Sequence, residues 1–464
     1  MDYLPLFADL RGKSCLVVGG GEIAARKVAL LCRAGADVRI VSLKFAPQTR
    51  SLAEQHKLIL IHRSYEAGDL VGMQLVVSAT DDKGVNERVF ADGQAAGVLV
   101  NSVDMPALSN VIFPSIVDRS PVLIAVSTGG RSPTLARTTR SWLEARLPPR
   151  LGALAEFVGE RREQIKRRLT TVAERQRFWE RIINGPAAEF VYQGQTNAAQ
   201  DAFDEALINP GSGFVSLIGC GPGDPELLTL KALRLLQSAD VVLYDNLVNR
   251  QILDYARRDA EFMYVGKKWR AASTRQEDIN GLLVSEARKG RNVARLKGGD
   301  PFIFGRGGEE IEALHQAGIE CIAVPGITAA SGASSYAGIP LTHRAVSQSV
   351  RFVTGHRASN RANLDWPELA KPDQTLVIYM GLPALESILQ NLIDYGRAAD
   401  TPAALVAKAT LPEQQVITGT LATLAGKVKT ASIGGPTTII IGEVVAWRAA
   451  TETGTAAFKG DETG

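Results

Sequence analysis

A short β-prone run, Ser14–Val18, ends directly in Gly19-Gly20-Gly21-Glu22-Ile23-Ala24, and Glu22–Cys32 then continues with helical spacing up to Gly35. A strand that enters a helix through a glycine turn leads into a crossover, and hence into parallel pairing with helices on the sheet faces. The unit recurs. Asp37–Ser42, Leu58–His62, Leu75–Ala79 and Val98–Asn101 are further apolar runs, with helical segments between several of them. The expectation is an α/β fold whose N-terminal part is a doubly wound parallel sheet.

The first turn fits the pattern GxGxxA. Gly19 permits the tight turn, Gly21 lets backbone approach a pyrophosphate, and Ala24 is small enough for helix–strand packing. The helix start then offers amide N–H groups and a partial positive charge to phosphates. A plain structural turn is the alternative. The second strand ends Val41-Ser42-Leu43-Lys44, without the acidic residue that usually accepts the ribose hydroxyls, so this feature does not choose between NAD and NADP.

With 464 residues, and about 150 residues per domain as a prior, the chain should hold about three domains. Its 45% hydrophobic and 22% charged content suits a globular protein, and a net charge of +3 does not imply nucleic acid. Cys15, Cys32, Cys220 and Cys321 are far apart in apolar or glycine-rich stretches and read as free buried thiols. The five histidines form no HExxH. Any metal handled here is expected as a substrate in transit, not as a resident ion. The first residues lack a basic leader, and no run of about 18 apolar residues occurs, so a cytoplasmic protein with no membrane span is expected.

From about Thr134 to Arg181 the pattern is helical and basic, with thirteen Arg/Lys against six acids between Arg131 and Arg181. Residues 185–213, rich in Ala, Gln, Asn and Gly, read as a helical spacer plus linker. A second α/β region opens at Phe214 and runs to about Trp447, and the small polar residues after Thr451 read as a disordered tail. The expected division is 1–113, a Rossmann-like domain; 114–200, a basic helical segment; 201–213, a linker; 214–448, a second α/β domain; and 449–464, the tail.

In the first region Ser78–Asp82 and Asn101-Ser102-Val103-Asp104 close strands at the carboxyl edge, where such sheets bind ligands. Asp104 is either a functional carboxylate or a helix cap or turn residue. In the second region three glycine-rich loops follow three strands: Ile218–Pro225, Arg295–Glu310, which is the densest cluster of glycine and charge in the chain, and Val324–Gly332. Pro222 removes an amide donor from the first, so a surface against a flat ligand is more natural there than a phosphate cradle.

These loops, with Tyr244-Asp245-Asn246-Leu247-Val248, Val265-Gly266-Lys267, Gly338–Arg344 and Tyr379-Met380-Gly381, resemble the motif set of uroporphyrinogen-III C-methyltransferases. Behind a glycine-turn domain that carries Asp104, Ile112–Arg119 and Ser127-Thr128-Gly129-Gly130, they resemble the trifunctional siroheme synthases over about residues 1–447. The resemblance implies two methyl transfers from S-adenosylmethionine to uroporphyrinogen III, oxidation of precorrin-2 by NAD⁺, and insertion of substrate Fe²⁺. It assigns the methyl donor to Pro222, Gly298, Gly299, Asp300, Ile303, Thr328, Ala329, Met380 and Ala409, the last being glycine in some relatives. It assigns NAD to the turn residues Gly19 and Gly21 with Glu22, Ile23, Leu43 and Lys44. It makes Asp245 a proton acceptor and Lys267 a proton donor, although the Lys267 ammonium could equally bind a substrate carboxylate. Asp104 would serve oxidation and chelation, as base and transient metal ligand.

The resemblance further implies a homodimer. Eight substrate carboxylates give the basic helices a possible role, since Arg binds such groups bidentately; a solvated face is the alternative. Two rival functions are a methyltransferase with an inactive or regulatory N-terminal half, and a dinucleotide-sensing protein without turnover. Nucleic-acid binding is disfavoured because Trp142, Phe157, Phe178 and Trp179 are the only aromatics in the basic segment.

Overall fold

The computed structural model describes residues 3–209, 213–266, 275–355, 364–431 and 433–448. Lys267 and the tail from 449 lie outside the described residues. The chain separates into two compact units, Met1–Gly152 and Ala153–Gly464.

In the first unit β1 (Ser14–Val18), β2 (Asp37–Val41), β3 (Ile59–Ile61), β4 (Leu75–Ser78) and β5 (Leu99–Ser102) form one parallel sheet in the order β3-β2-β1-β4-β5. β1 and β4 are central, and their continuous apolar runs match strands covered on both faces. Helix α1 (Glu22–Arg33) buries Ala24, Ala25, Val28 and Leu31, a stripe at helical spacing. Helices α2 (Pro47–His56) and α3 (Lys83–Ala96) follow β2 and β4; Asp82 caps α3, and Gly97 ends it at φ +68°. An antiparallel pair, β6 (Ser115–Arg119) and β7 (Val122–Val126), leads to α4 (Pro133–Arg146), capped by the Ser132 side chain.

The second unit begins with four helices: α5 (Leu151–Arg168), α6 (Val172–Asn184), α7 (Pro186–Gln193) and α8 (Thr196–Ile208). They enclose a core in which Phe157 and Phe178 each meet Phe203 edge-on. Residues 201–208, expected as linker, are instead the second half of α8, with Ala202, Phe203 and Ala206 buried. The alanines read as spacer composition let helices approach closely.

Next, β8 (Val215–Gly219), β9 (Val241–Tyr244), β10 (Glu261–Tyr264), β11 (Val293–Lys297) and β12 (Cys321–Val324) form a parallel sheet in the order β10-β9-β11-β8-β12. Helices α9 (Leu230–Gln237), α10 (Gln276–Arg288), α11 (Gly307–Gln316) and α12 (Ala329–Ala337) accompany it. A second lobe is mixed: β13 (Ser349–Thr354), β14 (Gln374–Tyr379), β15 (Pro402–Ala407), β16 (Gln415–Thr420) and β17 (Thr437–Ile441) in the order β13-β14-β17-β15-β16. Helices α13 (Trp366–Leu369), α14 (Leu385–Asp394) and α15 (Leu424–Thr430) pack on it around Leu376, Ile388 and Leu405.

Candidate active sites

In the first unit the glycine turn lies where β1 meets α1. Gly19 has φ +121°, and a Cβ on it would collide with the Ala79 carbonyl after β4; a Cβ on Gly20 would collide with the Lys44 carbonyl after β2. Glycine is therefore required by close approach at both positions. Gly21 is the N-cap of α1 and supplies no side-chain cap, with open space where its side chain would be. The first-turn amides of Glu22 and Ile23 are thus left to an outside acceptor.

The Leu43–Lys44 loop is fastened to this turn. The Ala46 amide donates to the Gly20 carbonyl at 2.8 Å, as does the Thr49 hydroxyl at 2.9 Å. The Ser42 hydroxyl donates to the Lys44 carbonyl at 2.8 Å, and His62 Nε2 donates to the Leu43 carbonyl at 2.6 Å. Ile23 and Leu43 are both exposed apolar residues beside the turn.

Asp104 follows β5, exposed and at φ +58°. It does not cap the next helical turn, whose N-cap is Met105, but it does sit in a turn. The Lys27 ammonium of α1 is 4.3 Å from the Phe113 ring centre; burial pushes its pKa down, and the field of Asp104 opposes that. The pair puts opposite charges at the carboxyl edge. Thr128 exchanges hydrogen bonds with the Ser132 backbone, at 3.0 and 3.1 Å.

In the second unit the three glycine loops meet. Gly221 and Gly299 pair by two backbone hydrogen bonds of 2.7 and 3.2 Å. A Cβ on Gly219 would lie 2.5 Å from the Gly326 nitrogen and 2.9 Å from the Gly299 oxygen. Asp300 joins two loops, its Oδ2 accepting from the Gly326 amide at 3.1 Å and its Oδ1 from the Phe302 amide at 2.8 Å. Thr328, just before α12, shares a 2.5 Å hydrogen bond with the Tyr379 hydroxyl of the second lobe, which also accepts from the Ala330 amide at 3.0 Å. Burial pushes the Tyr379 pKa up.

Ala409 is buried in the loop after β15, and a Cβ on Gly223 would meet its carbonyl at 2.8 Å. The loop therefore faces Gly223 with backbone. Pro222 packs against Gly332. Pro222, Gly299, Asp300, Thr328, Ala329, Met380 and Ala409 thus lie on adjoining loops of the two lobes, with Ile303 in the turn after Asp300. Phe304, Arg306, Met380, Lys408 and Thr410 all have φ between 48° and 66° around it. Such strain costs on the order of 1–3 kcal/mol per residue and clusters at functional sites.

Asp245 ends β9. Its Oδ1 accepts from the Leu247 amide at 3.0 Å, and its Oδ2 from Arg295 Nη2 at 3.0 Å. A Cβ on Gly298 would meet Leu247 at 2.7 Å, so the Asp245 turn packs against the donor loop. Arg295, Lys297 and Glu310, beneath Asp245, lie in the charge-rich run the sequence singled out, but it gave them no role of their own. Their signal was present: two cations alternate within a strand that is otherwise apolar, Val293-Ala294-Arg295-Leu296-Lys297. Among the described residues no group of three or more His, Cys, Asp or Glu is arranged to hold a metal ion, and no helix is long and apolar enough to cross a membrane.

Three family models match the chain: an NAD(P)-binding family over residues 6–115, the sirohaem synthase dimerisation region over 150–207, and the tetrapyrrole (corrin/porphyrin) methylases over 215–425. A siroheme synthase of Pseudomonas putida is 54% identical over 452 residues, covering 97% of each chain. One from Nitrosococcus oceani is 50% identical over 449 residues, covering 96% of each. Among solved structures, uroporphyrin-III C-methyltransferase from Thermus thermophilus with S-adenosylhomocysteine is 41% identical, covers 50% of this chain and 99% of its own, and has a TM-score of 0.44. By near-full-length identity to these relatives, the chain belongs to the siroheme synthase family.

Proposed function

We propose that the chain carries uroporphyrinogen III through two C-methylations to precorrin-2, dehydrogenation to sirohydrochlorin and insertion of substrate Fe²⁺ to give siroheme. The supporting observation is one chain holding two separately built sites: an uncapped helix start behind a glycine turn, and a crevice of three abutting glycine loops.

When bound, S-adenosylmethionine supplies the methyl groups and NAD⁺ accepts the hydride. Pro222, Gly298, Gly299, Asp300, Ile303, Thr328, Ala329, Met380 and Ala409 would hold the methyl donor. Such a displacement depends mainly on positioning, which loops locked by Gly–Gly contacts supply. A methylated pyrrole must shed a proton, and Asp245, held from both sides, is the acceptor. The open amides behind Gly19 and Gly21 fit a pyrophosphate, with Glu22, Ile23, Leu43 and Lys44 beside it. Asp104 takes the pyrrole N–H protons as Fe²⁺ enters, and is also placed to serve as a transient oxygen ligand. The chain works as a cytoplasmic homodimer through residues 150–207, a reading supported by the match to the dimerisation family.

The test is stepwise. Purified protein receives uroporphyrinogen III with S-adenosylmethionine, then NAD⁺, then Fe²⁺, and products are followed by absorbance and mass. Two added methyl groups, then NADH, then a metallated chromophore are expected. Methylation without NADH would leave only a methyltransferase, and no affinity for S-adenosylmethionine would overturn the whole reading.

A further inference from the structure

The face of β11 that carries Arg295 and Lys297 points into protein, and both side chains are almost fully buried. Two like charges at alternate positions of one buried strand are costly unless counter-charges meet them. Glu310 of α11, with no solvent exposure, supplies one: its Oε1 accepts from Lys297 Nζ at 2.9 Å, Gln276 Nε2 at 3.2 Å and Arg295 Nε at 3.3 Å. Asp245 supplies the other. The four groups are formally neutral together. Glu310 Oε2 is buried with no hydrogen-bond partner among the described residues.

Stability alone is a poor reason to keep such a cluster, because buried ion pairs are often replaceable by apolar groups without loss. Nor is it a proton relay, since a guanidinium does not release its proton in proteins. What the geometry does accomplish is orientation. Arg295 is gripped at three nitrogens: Nε by Glu310, Nη1 by the Leu296 carbonyl at 2.7 Å, and Nη2 by Asp245. A planar fork fixed at its first two contacts fixes where the third one lies. Burial, with Arg295 alongside, pushes the Lys297 pKa down, while Glu310 and Asp245 oppose that.

We infer that Glu310 is a positioning residue for methylation: through Arg295 it sets where Asp245 presents its carboxylate to the substrate, and Lys297 balances its charge. The inference rests on the reading of Asp245 as proton acceptor given above.

Two full-length double variants test it. Lys297→Met with Glu310→Met removes the pair and leaves Arg295 Nε without an acceptor. Lys297→Met with Glu310→Gln carries the same charge but keeps a side-chain oxygen for that nitrogen. Both should fold, since each removes one charge of either sign, and melting curves with NAD-dependent oxidation of precorrin-2 check this. The Met/Met variant should lose about 10²-fold in methylation kcat, with KM and S-adenosylhomocysteine affinity within about twofold of the parent. The Met/Gln variant should recover to within about tenfold of the parent.

Equal kcat in the two variants would overturn the inference, and so would loss of S-adenosylhomocysteine binding in step with kcat. Asp245→Asn separates the two levels. Full methylation by that variant would sink the acceptor reading itself, whereas its inactivity beside two equally active double variants would sink only the role of Glu310.

Discussion

The contact between Gly219 and Gly326 gives a perturbation whose size follows from the structure. Gly219→Ala places a methyl group 2.5 Å from the Gly326 nitrogen and 2.7 Å from its Cα, both backbone atoms with no rotamer to turn away. Ordinary contact for a Cβ begins near 3.4 Å, so the loops after β8 and β12 must part by about 1 Å. Overpacking of this kind costs about 1–3 kcal/mol, which a sheet as thoroughly buried as β8 and β11 should survive. The site is less tolerant. The same two loops present Pro222 and Thr328, the Gly326 amide holds Asp300 of the loop after β11, and a misplacement of about 1 Å costs about 10²-fold in a reaction that depends on orientation. The expected result is a folded protein with S-adenosylhomocysteine affinity and methylation each reduced by about 10²-fold, and precorrin-2 oxidation intact. Calorimetry and a methyl-transfer assay read the first two, and NADH absorbance the third. Gly281→Ala, in open space on α10, should instead stabilise by about 0.5–1 kcal/mol and leave every activity alone. If Gly219→Ala bound S-adenosylhomocysteine within twofold of the parent, the three-loop crevice would not be the donor site.

Asp104→Asn should keep the fold, because asparagine also accepts the left-handed φ of +58°; it should lower oxidation and chelation by at least about 10²-fold and spare methylation, as measured on the separate substrates. A fragment beginning near Gly211 should fold and bind S-adenosylhomocysteine like the full chain, because the core clusters around β8 to β17 contain no residue before Phe214; a folded fragment without affinity would refute that independence. Burial pushes the Cys220 thiol from 9.0 up to about 12, so the folded state keeps a proton that the unfolded state loses, and this stability is lost as pH rises from about 9 towards 12. Urea unfolding of this fragment should therefore show the stability gap between parent and Cys220→Ala shrinking by about 2 kcal/mol between pH 8 and 10.5; an unchanged gap would show that the thiol titrates normally.

The alternation of strand and helix was readable because burial on both faces writes β1 and β4 into the sequence as apolar runs, while β2 alternates exposed and buried residues over its first half, and all three end within a residue of where those runs end. The helical body was misjudged at residues 201–208, because alanine reads as spacer while Phe203, its one large anchor, is a single residue in a polar-looking stretch. The convergence of the three glycine loops was legible as motifs, but the reason for their glycines was not: a Cβ on Gly219 is blocked by Gly326 and one on Gly298 by Leu247, residues on loops far away in the sequence. Tyr379 was visible only as part of a motif, whereas its hydroxyl ties the second lobe to Thr328. Glu310 stood inside the charge-rich run, but its role was not legible there for a different reason. It stands beside Glu309 in the sequence, and only the fold makes one an exposed partner of Arg306 and the other a fully buried partner of Arg295.

The parallel sheets that begin with β1 and β8 open alike, with a strand, a glycine turn and a helical segment, yet the turns differ in the charge they can accept. After β1, Gly21 caps nothing and α1 begins at once, so unspent amides and the positive end of a helix face outward. After β8 the donors are already committed. Pro222 has none, the Asp224 amide donates to the Thr410 hydroxyl at 2.9 Å, and the Asp224 carboxylate accepts from the Glu226 amide at 2.8 Å. Helix α9 starts only at Leu230, with Thr229 already capping it. An anion would find few free donors there, and Asp300 and Asp245 make the surroundings worse for it. A sulfonium cation has the opposite needs: it gains nothing from a helix start and is favoured by nearby carboxylates. One strand–turn–helix pattern can therefore serve a pyrophosphate at one end of the chain and a methyl cation donor at the other, and what separates them is whether the backbone N–H groups are left open or used up.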